Sequence, residues 1–397
     1  MPVPDTRPDP GALRDFLRLA GRDAWGKRVN DLGVRASRAT FADRAAQRRH
    51  AAELILARMT DASALARAGT PERRVLGFAR EVSQLADTLP ADPRARLTAM
   101  VREGLSGEAT LIPLFHLVRT AAIARSRGFA VRFDGLLDGT PHDLLIERGG
   151  ASAEIACNVV SAEEGRPLHR GAWFGLMDAI HPGLQTWLAA HPGRYLLKMT
   201  LPEGVQDTAQ LASLQNRILA MLAEEKRQDS SADAVLKLDP LVLAGAQASL
   251  PNVLRQQFGP DAHLAVTGDP ASGSVFVMAA RAGRENEIAQ AVAARLATQA
   301  AARLSARRPG ILASFVEDLE RHEWRALRET LALEGAVRRF LTDPVAQRVV
   351  AVTATSRAEL FGLSAPDAEP SGDLRYRNAA HPAAKNPALG PAIESSV

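Results

Sequence analysis

Asp143 and Glu154 are the residues of this chain best placed to do chemistry. Asp143 opens a short apolar run, 143–147, and Glu154 falls inside the next, 153–160. Runs of that length read as strands, and carboxylates on neighbouring strands can share a divalent cation. Mg²⁺ is the fitting ion, because hard cations take carboxylate oxygens. Bound there, it would activate water and steady the charge that builds on a phosphodiester under attack. Alternation puts Glu154, Ala156 and Asn158 on one face of the strand, with Ile155, Cys157 and Val159 on the other. The second set suits a core. The first is expected to look into a cleft, with Asp143 beside Glu154 if the strands pair in the simplest register.

Arg166, His169 and Arg170 gather at the start of a predicted helix, where they would meet phosphate or nucleic acid. Guanidinium groups stay protonated, so these arginines can bind an anion but cannot take a proton from water. Glu108, ahead of another predicted helix, is a third candidate metal ligand. Each group also has a plainer account. Asp143 and Glu154 would be sheet-edge carboxylates paired with arginines, and Glu108 a helix N-terminal charge favoured by the macrodipole. Residues 166–170 would then cap a helix and pair on the surface. Cys157 reads as a small buried hydrophobe.

The elements that must position these residues follow from local pattern. A helix over 109–125 leads through Arg127-Gly128-Phe129 into three apolar runs, 129–133, 143–147 and 153–160. Asp138-Gly139-Thr140 and Arg148-Gly149-Gly150 are turn signals of hairpin size, which predicts an antiparallel meander. A crossover helix beginning near Arg170 and a fourth strand over 195–201 would complete a mixed sheet. Segments 233–238, 262–266 and 274–279 are further candidate strands, and 209–225 is an amphipathic helix.

Around this core, 105–283, the sequence predicts helical flanks. Residues 1–10 are proline-rich and read as disordered. Apolar residues recur at helix spacing through 11–104, with punctuation at Thr60-Asp61 and a Thr70 cap before Pro71. Residues 284–363 read as C-terminal helices plus a final strand over 347–355. Ile311, Phe315 and Leu319 supply one helix face there, and Pro309 its start. The stretch 364–397, rich in Pro, Ala and Ser, reads as a disordered tail.

The totals bound the function. At 397 residues and 46% hydrophobic content, the chain can build a substantial core. No apolar run is long enough to span a bilayer and no signal-type stretch opens the chain, so a cytoplasmic protein with no membrane partner is expected. The single cysteine excludes an internal disulfide and a thiolate cluster. Net charge is only +4, and lysine occurs only at 27, 198, 226, 237 and 385. Arginines 22, 28, 35, 38, 44, 48 and 49, with Lys27, form a basic stretch that is either a solvated helix face or a backbone-contacting patch. Phosphate-loop, dinucleotide, zinc-hydrolase and serine-hydrolase signatures are absent from the sequence.

In element order over 108–200 the chain resembles the PD-(D/E)XK nuclease superfamily, the restriction-endonuclease-like fold. The resemblance implies an α+β unit with a mixed central sheet flanked by helices. Glu108, Asp143 and Glu154 match that family's acidic positions, which implies Mg²⁺ ligation by all three. The lysine position is then Ala156. A register moved by two puts Ala156 at the Glu position and Asn158 at the Lys position. Cys157-Asn158, Ser161 and Gly165-Arg166-Pro167-Leu168-His169-Arg170 are similar to a pattern of bacterial nuclease-like sequences in that second register. Alanine supplies no oxygen and asparagine no charge, so catalysis would need a migrated lysine, and Lys198 is the lysine nearest in sequence. Three functions stand open. The first is a nuclease-fold protein that binds DNA or RNA with hydrolysis lost or weakened, with no cofactor if inactive. The second is an active Mg²⁺-dependent nuclease using Asp143, Glu154 and Lys198. The third is a structural or adaptor protein, with a protein partner or homo-oligomer, on a nuclease-like scaffold.

Overall fold

The computed structural model describes residues 10–38, 40–205, 208–241, 250–259, 261–269, 272–357 and 373–396. Its strands are β1 (Ala130–Arg132), β2 (Leu144–Arg148), β3 (Ala151–Ser161), β4 (Arg194–Leu201), β5 (Gln228–Ser230), β6 (Val235–Pro240), β7 (His263–Asp269), β8 (Ser274–Ala282), β9 (Gly310–Glu317), β10 (Val349–Ser356) and β11 (Leu374–Arg377). Among the described residues the first helices are α1 (Pro10–Ala20), α2 (Arg22–Arg38), α3 (Phe41–Arg49), α4 (Ala51–Arg58), α5 (Ala62–Ala66), α6 (Thr70–Thr88) and α7 (Ala91–Gly104). Then come α8 (Ile112–Ser126), α9 (Asp134–Leu137), α10 (Arg170–Ala190), α11 (Thr208–Ala223), α12 (Leu250–Phe258), α13 (Ile288–Arg303), α14 (Arg321–Glu329) and α15 (Ala332–Leu341). The chain divides into two compact units. One comprises Met1–Arg38, Ala46–Ala162 and Ala289–Val397, the other Ala39–Ala45 and Glu163–Ile288.

The first unit is built on a six-stranded sheet in the order β1-β2-β3-β9-β10-β11. The meander is as expected: β1, β2 and β3 pair antiparallel. Arg148 and Ala151 close the β2–β3 hairpin around Gly149 and Gly150, whose φ angles of 54° and 76° suit the two-residue turn that glycine favours. Beyond β3 the expectation fails. The parallel neighbour of β3 is β9, entered from α13, whereas the 195–201 strand belongs to the other unit's sheet. β9 was expected as a helix because Ile311, Phe315 and Leu319 are four apart. In fact all eight of its residues are buried between two parallel neighbours. A strand covered on both faces shows a continuous apolar run, which periodicity cannot tell from a buried helix. Pro309 therefore precedes a strand, and Asp318, with φ 57°, ends it before Leu319.

The predicted disordered tail is also corrected over 373–396. β11 pairs with β10, a 3₁₀ turn (Pro382–Lys385) follows, and a short helix (Gly390–Ile393) closes the chain. Leu374, Tyr376, Leu389 and Ile393 are each at most 2% exposed. These few anchors, spaced among small residues without periodicity, are enough once the β10 edge offers a template. The remainder of that segment, 364–372 and 397, and residues 1–9 lie outside the described residues.

The N-terminal helices and the sheet share one core. Phe16 meets Phe78 at 5.6 Å and Phe78 meets Phe115 of α8 at 5.0 Å, and the same cluster takes in Ile155, Ala313 and Phe315. Asp61 caps α5 by accepting from Ala64 N at 2.8 Å. The cap of α6 is Gly69, one residue ahead of the expected Thr70. α8 covers the Ile155, Cys157 and Val159 face of β3, as its apolar side predicted.

The second unit has a five-stranded sheet, β5-β6-β4-β8-β7, with β4 parallel to β8 and antiparallel to β6. Trp173, Leu184, Leu197, Ile218 and Phe276 fill its core with α10 and α11. Its main segment begins and ends at one place, where Glu287 N donates to Gly165 O at 2.7 Å. A Cβ on Gly165 would lie 2.6 Å from the Ile288 backbone, so this closure needs glycine. Among the described residues, no helix is long and apolar enough to cross a membrane.

Candidate functional site

Asp143 and Glu154 share the first unit's sheet, but the hairpin register does not set them side by side. Glu154 stands opposite Leu145, and Leu144 opposite Ile155, so Asp143, one residue earlier, is level with Ala156. Asp143 Oδ1 pairs with Arg303 Nη2 at 2.8 Å, and Oδ2 accepts from Cys157 N at 2.7 Å. Glu154 accepts from Ser305 twice, Oε1 from the hydroxyl at 2.5 Å and Oε2 from the backbone N at 2.8 Å. All four carboxylate oxygens thus have protein donors. Among the described residues no group of three or more His, Cys, Asp or Glu side chains is arranged to hold a metal ion.

The polar face of β3 was expected to look into a cleft, and this too is corrected. Glu154 and Ala156 are 1% exposed and Asn158 7%. Asn158 Oδ1 accepts from Ser314 Oγ at 2.6 Å, while its Nδ2 is buried without a partner. The reason lies in the β9 neighbourhood: the α13 end and the loop after it bring Arg303, Leu304 and Ser305 onto this face. Parallel sheets are normally covered on both sides.

The other candidates are dispersed. Lys198 lies on β4 in the second unit, where Nζ pairs with Asp239 at 2.9 Å. Glu108 is an exposed turn residue ahead of α8, held by Arg35 at 2.5 Å, and that bond lowers its carboxyl below the usual range. Arg166, expected at a phosphate, is 4% exposed and paired with Glu163, which also accepts from Arg170 N at 2.7 Å. His169 is the exposed N-cap of α10 and makes no side-chain cap bond. The N-terminal basic stretch is not one solvated face either. Arg28 is buried and donates to the Gly107 and Ala109 carbonyls, while Arg35, Arg48 and Arg49 pair with Glu108, Glu320 and Asp318.

Several residues at this site escaped the sequence reading. Arg303 and Ser305 meet Asp143 and Glu154 across more than 150 positions of chain. His142, next to Asp143 in sequence, is buried with Nε2 3.2 Å from Asp134 and Nδ1 3.9 Å from Glu154. Arg132 Nε braces Asp134 at 2.5 Å. No motif or spacing pointed to this cluster, since contacts between remote segments leave no periodic trace.

Electrostatics agree with an inward-turned site. Burial pushes the Asp143 carboxyl above its ordinary range despite the opposing charge of Arg303, and burial pushes the Cys157 thiol up as well. Desolvated carboxylates at functional sites can serve as acids or bases, yet Asp143 is already committed to a guanidinium and a backbone N–H. Comparison with protein-family models, with curated proteins and with solved structures returns no match.

Proposed function

We propose that this chain is a nuclease-fold protein of restriction-endonuclease-like type that binds nucleic acid and has lost the means to hydrolyse it. Within the first unit, with the short α9 and the interrupting segment 163–288 set aside, the order α8, β1, β2, β3, α13, β9 supports the fold: a helix, an antiparallel meander, a helix, then a strand parallel to β3. The observation that carries the functional reading is that Asp143 stands level with Ala156. That favours the register in which Ala156 and Asn158 take the metal-binding and ammonium positions of the resemblance. A methyl group cannot ligate Mg²⁺, and a carboxamide carries no charge to steady a phosphorane. Lys198, engaged by Asp239, weighs against a migrated catalytic group. The binding half of the proposal draws on Arg307 and Arg308, exposed on the loop after α13 and without an ion-pair partner among the described residues.

Fluorescence anisotropy with labelled DNA and RNA, titrated with salt, tests the binding. Affinity should fall by about tenfold or more between 50 and 200 mM salt, as counterion release predicts for several phosphate contacts. No affinity for either polymer, or affinity indifferent to salt, would sink it. Incubation with plasmid and linear DNA plus Mg²⁺ or Mn²⁺ tests the loss of hydrolysis. Cleavage that disappears in Asp143→Ala would overturn that half and restore the active-nuclease reading.

A further inference from the structure

The loop after α13 borders a cavity of about 530 Å³ in the first unit that the carboxylate site does not use. Arg307, Arg308, Gln347, Arg348 and His381 line it, together with Pro309. Among the described residues no Asp or Glu lines it, so three guanidiniums border one space with no carboxylate in its wall. Arg348 Nη1 donates to the Leu304 carbonyl at 2.9 Å, which holds that side chain in position and leaves its other N–H groups available. His381 Nδ1 accepts from Ala383 N at 3.0 Å, so the neutral ring carries its proton on Nε2 and can donate. Burial favours that neutral form.

The arginines are also presented by a fixed backbone. Ser305 is pinned to Glu154 through both its N and its hydroxyl. Ala306 adopts a left-handed φ of 62°, and Arg307 N donates to Ser305 Oγ at 3.2 Å. A loop tied to a buried carboxylate loses little further freedom on binding, which favours affinity.

We propose that this cavity binds the phosphate of a nucleotide unit, with Arg307, Arg308 and Arg348 as its counter-charges. Guanidinium matches phosphate oxygens in paired, planar hydrogen bonds. The volume falls within the range of about 300–1,000 Å³ typical of small-molecule sites, enough for the attached nucleoside as well as the phosphate. The choice of ligand rests on the nucleic-acid reading above. A phosphate on a polymer and one on a free nucleotide share this chemistry, and the test separates them.

The full chain is titrated with a short labelled DNA single strand and, separately, with ADP. Arg307→Glu/Arg308→Glu is compared with wild type and with Arg14→Glu/Arg73→Glu, an equal charge change at exposed helix positions. The cavity variant should bind at least about tenfold more weakly, and its salt slope should drop by about two, while the control stays within about threefold. If charge reversal lowers the melting temperature, Arg307→Ala/Arg308→Ala provides the same comparison at exposed positions. Strand binding that the cavity variants leave intact overturns the proposal but spares the nucleic-acid reading. Binding of ADP alone, lost in the variants, supports the cavity and overturns that reading. Binding of neither ligand overturns both.

Discussion

His116 shows what a single buried side chain contributes here. It is 2% exposed, with Nε2 on the Ala313 carbonyl at 2.9 Å and Nδ1 buried without a partner. Burial drives its pKa from 6.5 to about 4, with Arg119 adding to the fall. The folded ring is therefore neutral where the unfolded one already takes up a proton. Its contribution is complete above pH 6.5 and is lost as the pH falls towards 4, by about 3 kcal/mol in all. Asp143 and Glu317 act oppositely, since burial raises both carboxyls and protonation in acid relieves them. The histidine term is isolated by His116→Gln, which keeps a donor for Ala313. Urea midpoints at pH 7 and pH 4.5 should draw apart for wild type by more than for the variant. Equal losses in the two proteins would mean that His116 does not carry the effect. At this scale Asp143 and Glu154 were legible as residues, whereas their partners Arg303 and Ser305 were not, because nothing local marks a partner so distant in sequence.

At the scale of elements, the C-terminal segment is the sharpest departure from the sequence reading, and it is testable. A chain ending at residue 372 loses β11 and the short helix after it. Burial of Leu374, Tyr376, Leu389 and Ile393 stabilises by about 1.5–3 kcal/mol each. Their sum competes with a whole-domain stability of about 5–15 kcal/mol. The truncated chain is therefore predicted to unfold or aggregate, the more so because β10 becomes an open edge. Circular dichroism melts and size exclusion check this, and a cooperative melt at the full-length temperature would contradict it. The strands β1, β2 and β3 were readable because alternation or turn glycines mark them, and β10 because its run of β-branched residues does. β9 was not, because burial on both faces erases alternation, and β11 was not, because four residues carry too little pattern.

For the whole molecule, the unexpected feature is that 163–288 interrupts the connection from β3 to β9. Gly165 and Glu287 are joined by a backbone hydrogen bond of 2.7 Å, so the two ends of the interruption already meet. Replacing 166–286 with a short Gly-Ser linker should leave the first unit folded. Phe41→Ser is included, because Phe41 otherwise packs against the excised core, where Asp178 accepts its backbone N at 2.7 Å. The shortened chain is expected to melt cooperatively and to keep the salt-dependent binding carried by Arg307 and Arg308. A chain without a cooperative transition would mean that the first unit cannot stand without the second.

The sequence alone settled the local matters. It specified the meander through its turn glycines and alternating runs, the helix that precedes it, the helical N-terminal region, and the absence of an intact lysine-bearing motif. Only the tertiary structure decided which strand follows β3 in the sheet, that the acidic side chains are turned inward, and that three arginines from two separated stretches line one cavity. The division has a physical cause. Turns and periodicity are set by residues a few positions apart, whereas strand partners, burial on a second face and the grouping of charges depend on segments that meet only when the chain has packed.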